Sequence, residues 1–169
     1  MQIALDRRGD YSVRAVIDLA RHHGAGRRKA REIARVMDVP VRYLPQLLSP
    51  LIRAGLVMAT AGPEGGYALS RVPASVTLLE VIEAAEGPLE SPRCVLMGGP
   101  CDWAETCPVH ETWSRARTAL AAELRSATFA ELAAVDAAIE RRVARVRSPL
   151  HQEPVERRGI RESSGSHDG

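Results

Sequence analysis

Apolar residues in the first third of the chain recur every three or four positions, which is the spacing of a helix with one buried face. The pattern predicts a helix over 11–20 and a second over 30–37, which ends before Pro40 because proline disfavours helical backbone at the preceding residue. A third helix follows a tight turn, and its apolar face consists of Leu44, Leu47, Leu48 and Leu51. Two short helices joined in this way form a helix-turn-helix, whose second helix can lie in the DNA major groove.

Two short β-like runs follow the third helix, around a Gly- and Pro-rich tip in the stretch "LVMATAGPEGGYALS". Gly55 suits the end of the helix and Pro45 its first turn, whereas Pro50 predicts a kink or a break. The order helix, helix-turn-helix and β-hairpin predicts a mainly α, winged helix-turn-helix domain over 1–72. Three short helices of a purely protein-binding module are the alternative.

A connecting helix is predicted after the wing. Thr77 and Glu80 have the spacing of a capping box. The apolar face that follows consists of Leu78, Val81, Ile82 and Ala85. We expect this helix to pack on the winged domain.

A longer helix is predicted from Pro108, with a narrow apolar seam formed by Val109, Trp113, Ala116, Leu120 and Leu124. One narrow seam on a helix that projects from a small domain suits pairing with a second copy, so we expect a homodimer. Packing against the same subunit is the alternative.

The last predicted helix is short and is capped by Thr128 and Glu131. Its apolar residues are Leu132, Val135 and Ile139. The connecting helix, a cysteine-containing loop and the dimerisation helix then form a second region over 73–143. The Arg-, Ser-, Gly- and Pro-rich tail over 144–169 is expected to be disordered.

Charge is distributed unevenly, although the net charge is only +2. Residues 1–71 hold twelve Arg and Lys against six Asp and Glu, while residues 72–125 hold four against eight. The basic part suits a polyanion, and together with the helix-turn-helix it predicts binding to double-stranded DNA.

The third helix carries the side chains that DNA recognition needs. Arg42 can contact guanine with two hydrogen bonds and Gln46 can pair with adenine. Tyr43, Ser49 and Arg53 can reach phosphates or base edges. In the wing, the backbone N–H groups of two glycines could approach phosphate closely; they are Gly65 and Gly66.

The sequence also indicates a compartment. No apolar run approaches the length that spans a membrane, and the N-terminus carries charge where a signal peptide would be apolar. We expect a cytoplasmic protein, where the reducing environment disfavours disulfides. No catalytic constellation is present, so an enzyme is not expected.

All three cysteines, Cys94, Cys101 and Cys107, lie within fourteen positions. Such a loop can bring three thiolates to one centre, and soft thiolates select zinc, copper(I) or an iron–sulfur cluster. Structural zinc sites usually have two residues between paired cysteines, so the wider gaps here favour a polynuclear iron–sulfur centre. His110 could supply a fourth ligand. Zinc and free redox thiols stay open.

The chain resembles the Rrf2 family of bacterial winged-helix regulators from about Arg8 to Leu132. The residues that carry the resemblance are "GDYSVRAVIDLA", "RYLPQLLSPLIRAGLV", "GPEGGYALS", "LLEVIEAAEGP" and the three-cysteine loop that ends in "CPVHETW". Members are homodimers that hold a 2Fe–2S or 4Fe–4S cluster in this loop and use its state to control operator binding. The resemblance therefore implies a cluster held by the three cysteines, and we favour 4Fe–4S.

The resemblance leaves the fourth ligand open between two residues. Asp10 stands where members that sense nitric oxide supply a carboxylate from the partner subunit. His110 stands where members that regulate cluster synthesis supply a histidine. We expect a cluster-dependent repressor that senses nitric oxide, redox state or iron–sulfur status, with Asp10 slightly preferred. A cluster-free repressor that depends on thiols or zinc is the alternative.

Overall fold

The structure is a computed structural model that describes residues 4–89, 96 and 107–147, without the side chains of 144–147. Cys94 and Cys101 lie outside these residues, as does the predicted disordered tail from residue 148 onward. The α-helices and β-strands are α1 (Arg7–Arg21), α2 (Ala30–Met37), α3 (Leu44–Arg53), β1 (Val57–Thr60), β2 (Gly66–Leu69), α4 (Leu78–Glu86), α5 (His110–Ser126) and α6 (Phe129–Arg147). The predicted mainly helical fold with a two-stranded wing is confirmed.

Helix α1 begins four residues before the predicted start at residue 11. Asp6 caps it, because its side chain accepts hydrogen bonds from the N–H groups of Arg8 (2.7 Å) and Gly9 (2.8 Å). The first turn is polar and has no apolar period that could reveal it. The same cap fixes the backbone of Arg7 and Arg8, the two arginines that follow Asp6.

Helix α3 confirms the predicted leucine face, whose four residues are all buried. A 3-10 turn over Val41–Tyr43 leads into it, and Pro45 lies in its first turn. Of the kink or break predicted at Pro50, the break is wrong, because α3 continues to Arg53. Pro50 is itself buried, and the hydrogen bond that it cannot donate would have gone to the carbonyl of Gln46, an exposed residue.

Gly55 ends α3 as predicted, with a left-handed backbone at φ +70°. Its N–H donates to the carbonyl of Ile52 (3.0 Å), and the N–H of Leu56 donates to Leu51 (2.9 Å), which is the Schellman arrangement. This sharp turn starts the wing, in which β1 and β2 pair antiparallel from Val57↔Leu69 to Thr60↔Gly66.

Helix α4 packs against α1 and α3, which confirms the expected packing on the winged domain. Its capping box is present, with Thr77 Oγ1 accepting from the N–H of Glu80 (3.3 Å) and Glu80 accepting from the N–H of Thr77 (2.9 Å). Its buried face consists of Leu79, Val81, Ile82 and Ala85.

Helix α6 is nineteen residues long, so the prediction of a short helix is wrong. Thr128 and Glu131 cap it as predicted. Of the apolar residues named for this helix, Val135 and Ile139 are exposed in one subunit, whereas the neighbouring Phe129 is fully buried. Beyond its first turns, ion pairs from Arg21 to Asp136 (2.9 Å) and to Glu140 hold α6 on α1.

Helix α5 has one fully buried residue, Ala121, and it contacts α4. In the part of the chain that the structure describes, none of the helices has the length and apolar character that crossing a membrane requires.

Candidate nucleic-acid interface and thiol site

The 3-10 turn before α3 and the outer face of α3 together present the predicted recognition residues; Arg42 and Tyr43 lie in the turn and not, as expected, in the third helix. Arg42, Tyr43, Gln46 and Arg53 are exposed, and Ser49 is half-buried. The Arg42 guanidinium lies 4.9 Å from the centre of the Tyr43 ring and donates to its hydroxyl at 3.3 Å. Arg53 donates to Ser49 Oγ at 2.9 Å. The structure therefore brings all five residues together on one accessible face.

A concavity of about 840 Å³ runs along this face. We call it the arginine groove. Its lining is Arg7, Arg8, Tyr11, Pro40, Arg42, Tyr43, Pro45, Gln46, Leu47, Ser49, Pro50 and Arg53. The first three of these residues belong to α1 and were missed by sequence reasoning. The adjacent arginines that directly follow the Asp6 cap were the available signal.

The two wing glycines have structural reasons to be glycine. A Cβ atom at Gly65 would lie 2.1 Å from the carbonyl oxygen of Thr60, and one at Gly66 would lie 2.6 Å from that of Arg28. Gly65 is buried and its N–H donates to the carbonyl of Gly62 (3.0 Å), so this N–H already has a partner within the wing turn. A phosphate contact by either glycine stays a prediction.

The wing is attached to the segment that precedes α2. Arg28 and Tyr67 exchange backbone hydrogen bonds of 2.8 and 2.9 Å, so Arg28 acts as a one-residue third strand. Next to it, the Lys29 ammonium donates to the carbonyl of Gly65 (2.6 Å) and to that of Pro63. These bonds fix the wing relative to the helix-turn-helix.

A buried ion pair extends this attachment to α1. Asp18 is fully buried and accepts two hydrogen bonds from Arg28, at 2.9 and 3.1 Å. The bond to Asp18 raises the pKa of Arg28 above its usual value, against the opposing effect of burial. His22, the residue after α1, is half-exposed, and its Nδ1 donates to the carbonyl of Asp18 (2.8 Å). Sequence reasoning missed this network.

The thiol site is described only at its C-terminal end. Cys107 is a half-buried free cysteine, and its carbonyl accepts from the N–H of His110 at 3.2 Å, in the turn that starts α5. Cys94 and Cys101 belong to the connection between α4 and α5, outside the described residues. Among residues 4–89, 96 and 107–147 no three potential metal ligands come together.

Asp10 lies in the first turn of α1, and its side chain is 41% exposed. It accepts a hydrogen bond from Arg14 Nε at 2.8 Å, one helical turn later. This bond raises the pKa of Arg14. Within one subunit the carboxylate therefore already has a cationic partner, and its predicted role toward a partner subunit stays a prediction.

The apolar seam of α5 lines a groove of about 660 Å³ between α5, α4 and residues 4–5. Seam residues Trp113, Leu120 and Leu124 are half-buried there, and Ala116 is exposed. Part of the seam thus packs against its own subunit, which was the alternative to dimerisation. The seam is not covered completely, so the homodimer stays a prediction.

Comparison with known proteins places the chain in a family. A profile of the Rrf2 family, described as an iron-dependent transcriptional regulator, matches residues 5–135. This chain belongs to the Rrf2 family. It is 34% identical to the HTH-type transcriptional regulator IscR of Escherichia coli over 128 residues, which cover 76% of this chain and 78% of IscR.

Solved structures of Rrf2 relatives agree. The chain is similar to CymR, the global cysteine regulator of B. subtilis, with a TM-score of 0.65 and 34% identity over 79% of this chain and 98% of CymR. It is also similar to IscR from T. potens, with a TM-score of 0.63 and 29% identity over 78% and 87% of the two chains. The protein is thus a DNA-binding transcriptional regulator of the Rrf2 family and not an enzyme.

Proposed function

We propose that this Rrf2 regulator controls DNA binding through an iron–sulfur cluster, 4Fe–4S in preference to 2Fe–2S. The observation that carries the proposal is the placement of every cysteine of the chain in the segment between α4 and α5. Cys94, Cys101 and Cys107 hold the cluster. The description of the family as iron-dependent supports the same conclusion.

The residues fit such a cluster in their chemistry. Three thiolates are the ligands that iron–sulfur clusters prefer, and the described one, Cys107, is neither deeply buried nor in a disulfide. Asp10 of the partner subunit is the preferred fourth ligand and His110 the alternative. A cluster with one weakly held ligand supplies an iron that reacts with nitric oxide or oxidants.

The chain's own residues connect this site to DNA. The winged unit presents α3 to the major groove, with Arg42 and Gln46 reading bases and Tyr43, Ser49 and Arg53 positioning the helix. Two such units in a homodimer read a two-fold-symmetric operator, as helix-turn-helix dimers do. The protein is then a repressor whose binding to the operator weakens when the cluster is lost. A coupling of a few kcal/mol is sufficient for such control.

The cluster is tested by anaerobic purification, followed by an absorption spectrum and by iron, sulfide and zinc analysis. We expect a coloured protein with matched iron and sulfide, and nearly colourless Cys94→Ala, Cys101→Ala and Cys107→Ala variants. His23→Ala, at an exposed histidine outside the loop, is the control and keeps its colour. Full iron and sulfide in any cysteine variant would remove that residue from the ligand set.

The competing function is a cluster-free repressor that depends on thiols or zinc. The similarity to CymR supports this alternative. CymR of B. subtilis is a global cysteine regulator, and the structure of Staphylococcus aureus CymR has been solved in an oxidized form. A colourless wild-type protein with stoichiometric zinc, or with reversible thiol oxidation that alters DNA binding, would establish this alternative and refute the cluster.

The reading role of α3 is tested by mobility shifts. Arg42→Ala and Gln46→Ala are expected to cost about 1–3 kcal/mol of binding free energy and to relax base preference. Arg125→Ala, at an exposed arginine on α5, is the control for lost charge. Unaltered shifts in both α3 variants would contradict the assignment of α3.

A further inference from the structure

Charge is distributed unevenly between the arginine groove and the wing. Helix α1 contributes the exposed Arg7 and Arg8 to the arginine groove. The wing over 57–70 contains one charged residue, Glu64, which is exposed at its tip. The groove is therefore basic, whereas the wing itself carries no cation.

One lysine contacts the wing tip. The Lys29 ammonium donates to the carbonyls of Pro63 and Gly65. Two of its three N–H donors thus hold the wing turn together, and its charge stays beside these carbonyls. The exposed carboxylate of Glu64 forms no ion pair with any cation of the described residues, so it is presented to an approaching polyanion.

The groove arginines also differ from the structural arginines of the molecule. Arg14, Arg21, Arg28, Arg71 and Arg115 each form an ion pair with a carboxylate. The groove arginines at positions 7, 8, 42 and 53 form none with any carboxylate of the described residues. Guanidinium groups that have no carboxylate partner and are gathered along one concavity are suited to an external anion.

The first turn of α1 is held rigidly, which suits a positioning role. Asp6 caps the helix, and its own N–H donates to Glu86 Oε1 at the end of α4 (3.0 Å). Gly9 allows this close approach, because a Cβ atom there would lie 1.9 Å from the same carboxylate oxygen. The backbone from which the side chains of Arg7 and Arg8 extend is therefore held by this contact with the end of α4.

We propose that Arg7 and Arg8 bind phosphates of duplex DNA beside the base pairs that α3 reads, and that the wing, through Glu64, weakens phosphate binding. The inference rests on α3 as the reading helix and is independent of the cluster. Because the arginine groove is continuous from α1 to α3, one duplex makes both the phosphate contacts of α1 and the base contacts of α3. Phosphate contacts of this kind fix register without reading sequence.

The test compares two duplexes, one selected by the wild-type protein from a random pool and one of scrambled sequence, over a range of salt concentrations. Arg7→Ala and Arg8→Ala are each expected to weaken binding several-fold and equally on both duplexes. Each should also reduce the slope of log K against log salt by about 1, because one phosphate contact and its released counterion are lost. Arg125→Ala should match the wild type.

Four further variants complete the design. Arg7→Lys and Arg8→Lys keep the charge and should retain most of the salt slope, and thermal unfolding of every variant checks that the fold is intact. Glu64→Gln should bind both duplexes more tightly than the wild type, whereas Glu123→Gln, at an exposed glutamate of α5, should not.

The outcomes separate the two assignments. If Arg7→Ala and Arg8→Ala bind DNA as Arg125→Ala does while Arg42→Ala relaxes base preference, phosphate binding by α1 is wrong and the assignment of α3 as the reading helix is retained. If Arg42→Ala has no effect while the α1 variants lose affinity, phosphate binding by α1 is retained and the assignment of α3 is wrong. Equal behaviour of Glu64→Gln and Glu123→Gln would overturn the role of the wing.

Discussion

The buried carboxylate of Asp18 shows how one residue joins three parts of the DNA-binding unit. It lies on α1 and holds Arg28, whose backbone pairs with the wing strand at Tyr67. Removal of one partner of a buried ion pair leaves an uncompensated charge in the interior. The geometry of the wing relative to α3 therefore depends on a residue remote from DNA.

Asp18→Ala is expected to lower the free energy of unfolding by about 3 kcal/mol, as measured by urea denaturation. Asp136→Ala is the matched control, because it removes a more exposed ion pair with Arg21 and should cost below about 1 kcal/mol. Equal losses of unfolding free energy in the two variants would show that the pair of Asp18 and Arg28 stabilises the fold no more than a more exposed ion pair does.

At the same scale, the sequence predicts residues that follow a local period and misses those that depend on tertiary neighbours. The leucine face of α3 could be predicted because its spacing is helical. The pairing of Asp18 with Arg28 could not, since the two residues are separated by the end of α1 and a loop whose path the pattern does not fix. The α1 arginines were missed for the same reason, because only the fold brings them beside α3.

At the scale of elements, the start of α4 depends on Glu80 in two ways. Its carboxylate accepts from the N–H of Thr77 in the capping box and pairs with Arg71 at 2.8 Å. Burial raises the pKa of Glu80, but the hydrogen bonds from Arg71 and Thr77 lower it by more, so the pKa lies below its usual value. The ionised form thus stabilises the folded state.

A pH dependence follows from this shift. The stabilisation is present above the ordinary glutamate pKa and is lost as pH falls through the lower pKa of the folded state. Glu80→Gln, which keeps a capping residue, is expected to be less stable than the wild type at pH 7 by below about 1 kcal/mol, because the side chain is partly exposed. The difference should shrink at pH 3. A constant difference at both pH values would contradict the shift.

The C-terminal helices show where the sequence pattern misleads at this scale. The cap of α6 was predicted from Thr128 and Glu131, but not its length. Past Phe129 and Ala133 the helix is held on α1 by ion pairs of Arg21 and not by an apolar face. Hydrophobic periodicity does not detect ion pairs, so the apolar residues Val135 and Ile139, which are exposed in one subunit, gave no indication of the length of the helix.

At the scale of the whole molecule, the incompletely covered seam of α5 favours a homodimer. Leu120→Arg is expected to place a charge in that interface and to shift the mass measured by analytical ultracentrifugation to that of one chain, with loss of operator binding. Thr118→Glu, on the exposed side of α5, should leave the mass unchanged. An unaltered mass for Leu120→Arg would indicate that the seam serves packing within one subunit.

The fourth cluster ligand is also a property of the assembled molecule, because Asp10 is proposed to act on the partner subunit's cluster. Asp10→Ala is expected to lose iron and cluster-dependent DNA binding, whereas His110→Ala keeps both. Glu123→Ala, at an exposed glutamate of α5, is the control for lost charge. If Asp10→Ala leaves the spectrum unchanged while His110→Ala alters it, the histidine is the ligand.

A mixed dimer distinguishes a ligand from the partner from one within the same chain. One subunit carries Asp10→Ala and the other Cys107→Ala, and two affinity tags isolate the mixed species. If Asp10 acts across the interface, the subunit with intact cysteines receives the carboxylate of its partner, so one cluster per dimer forms. If Asp10 acts within its own chain, neither site is complete and the mixed dimer holds almost no iron. Arg14→Ala removes the partner that Asp10 has within its own subunit and should not reduce the iron content.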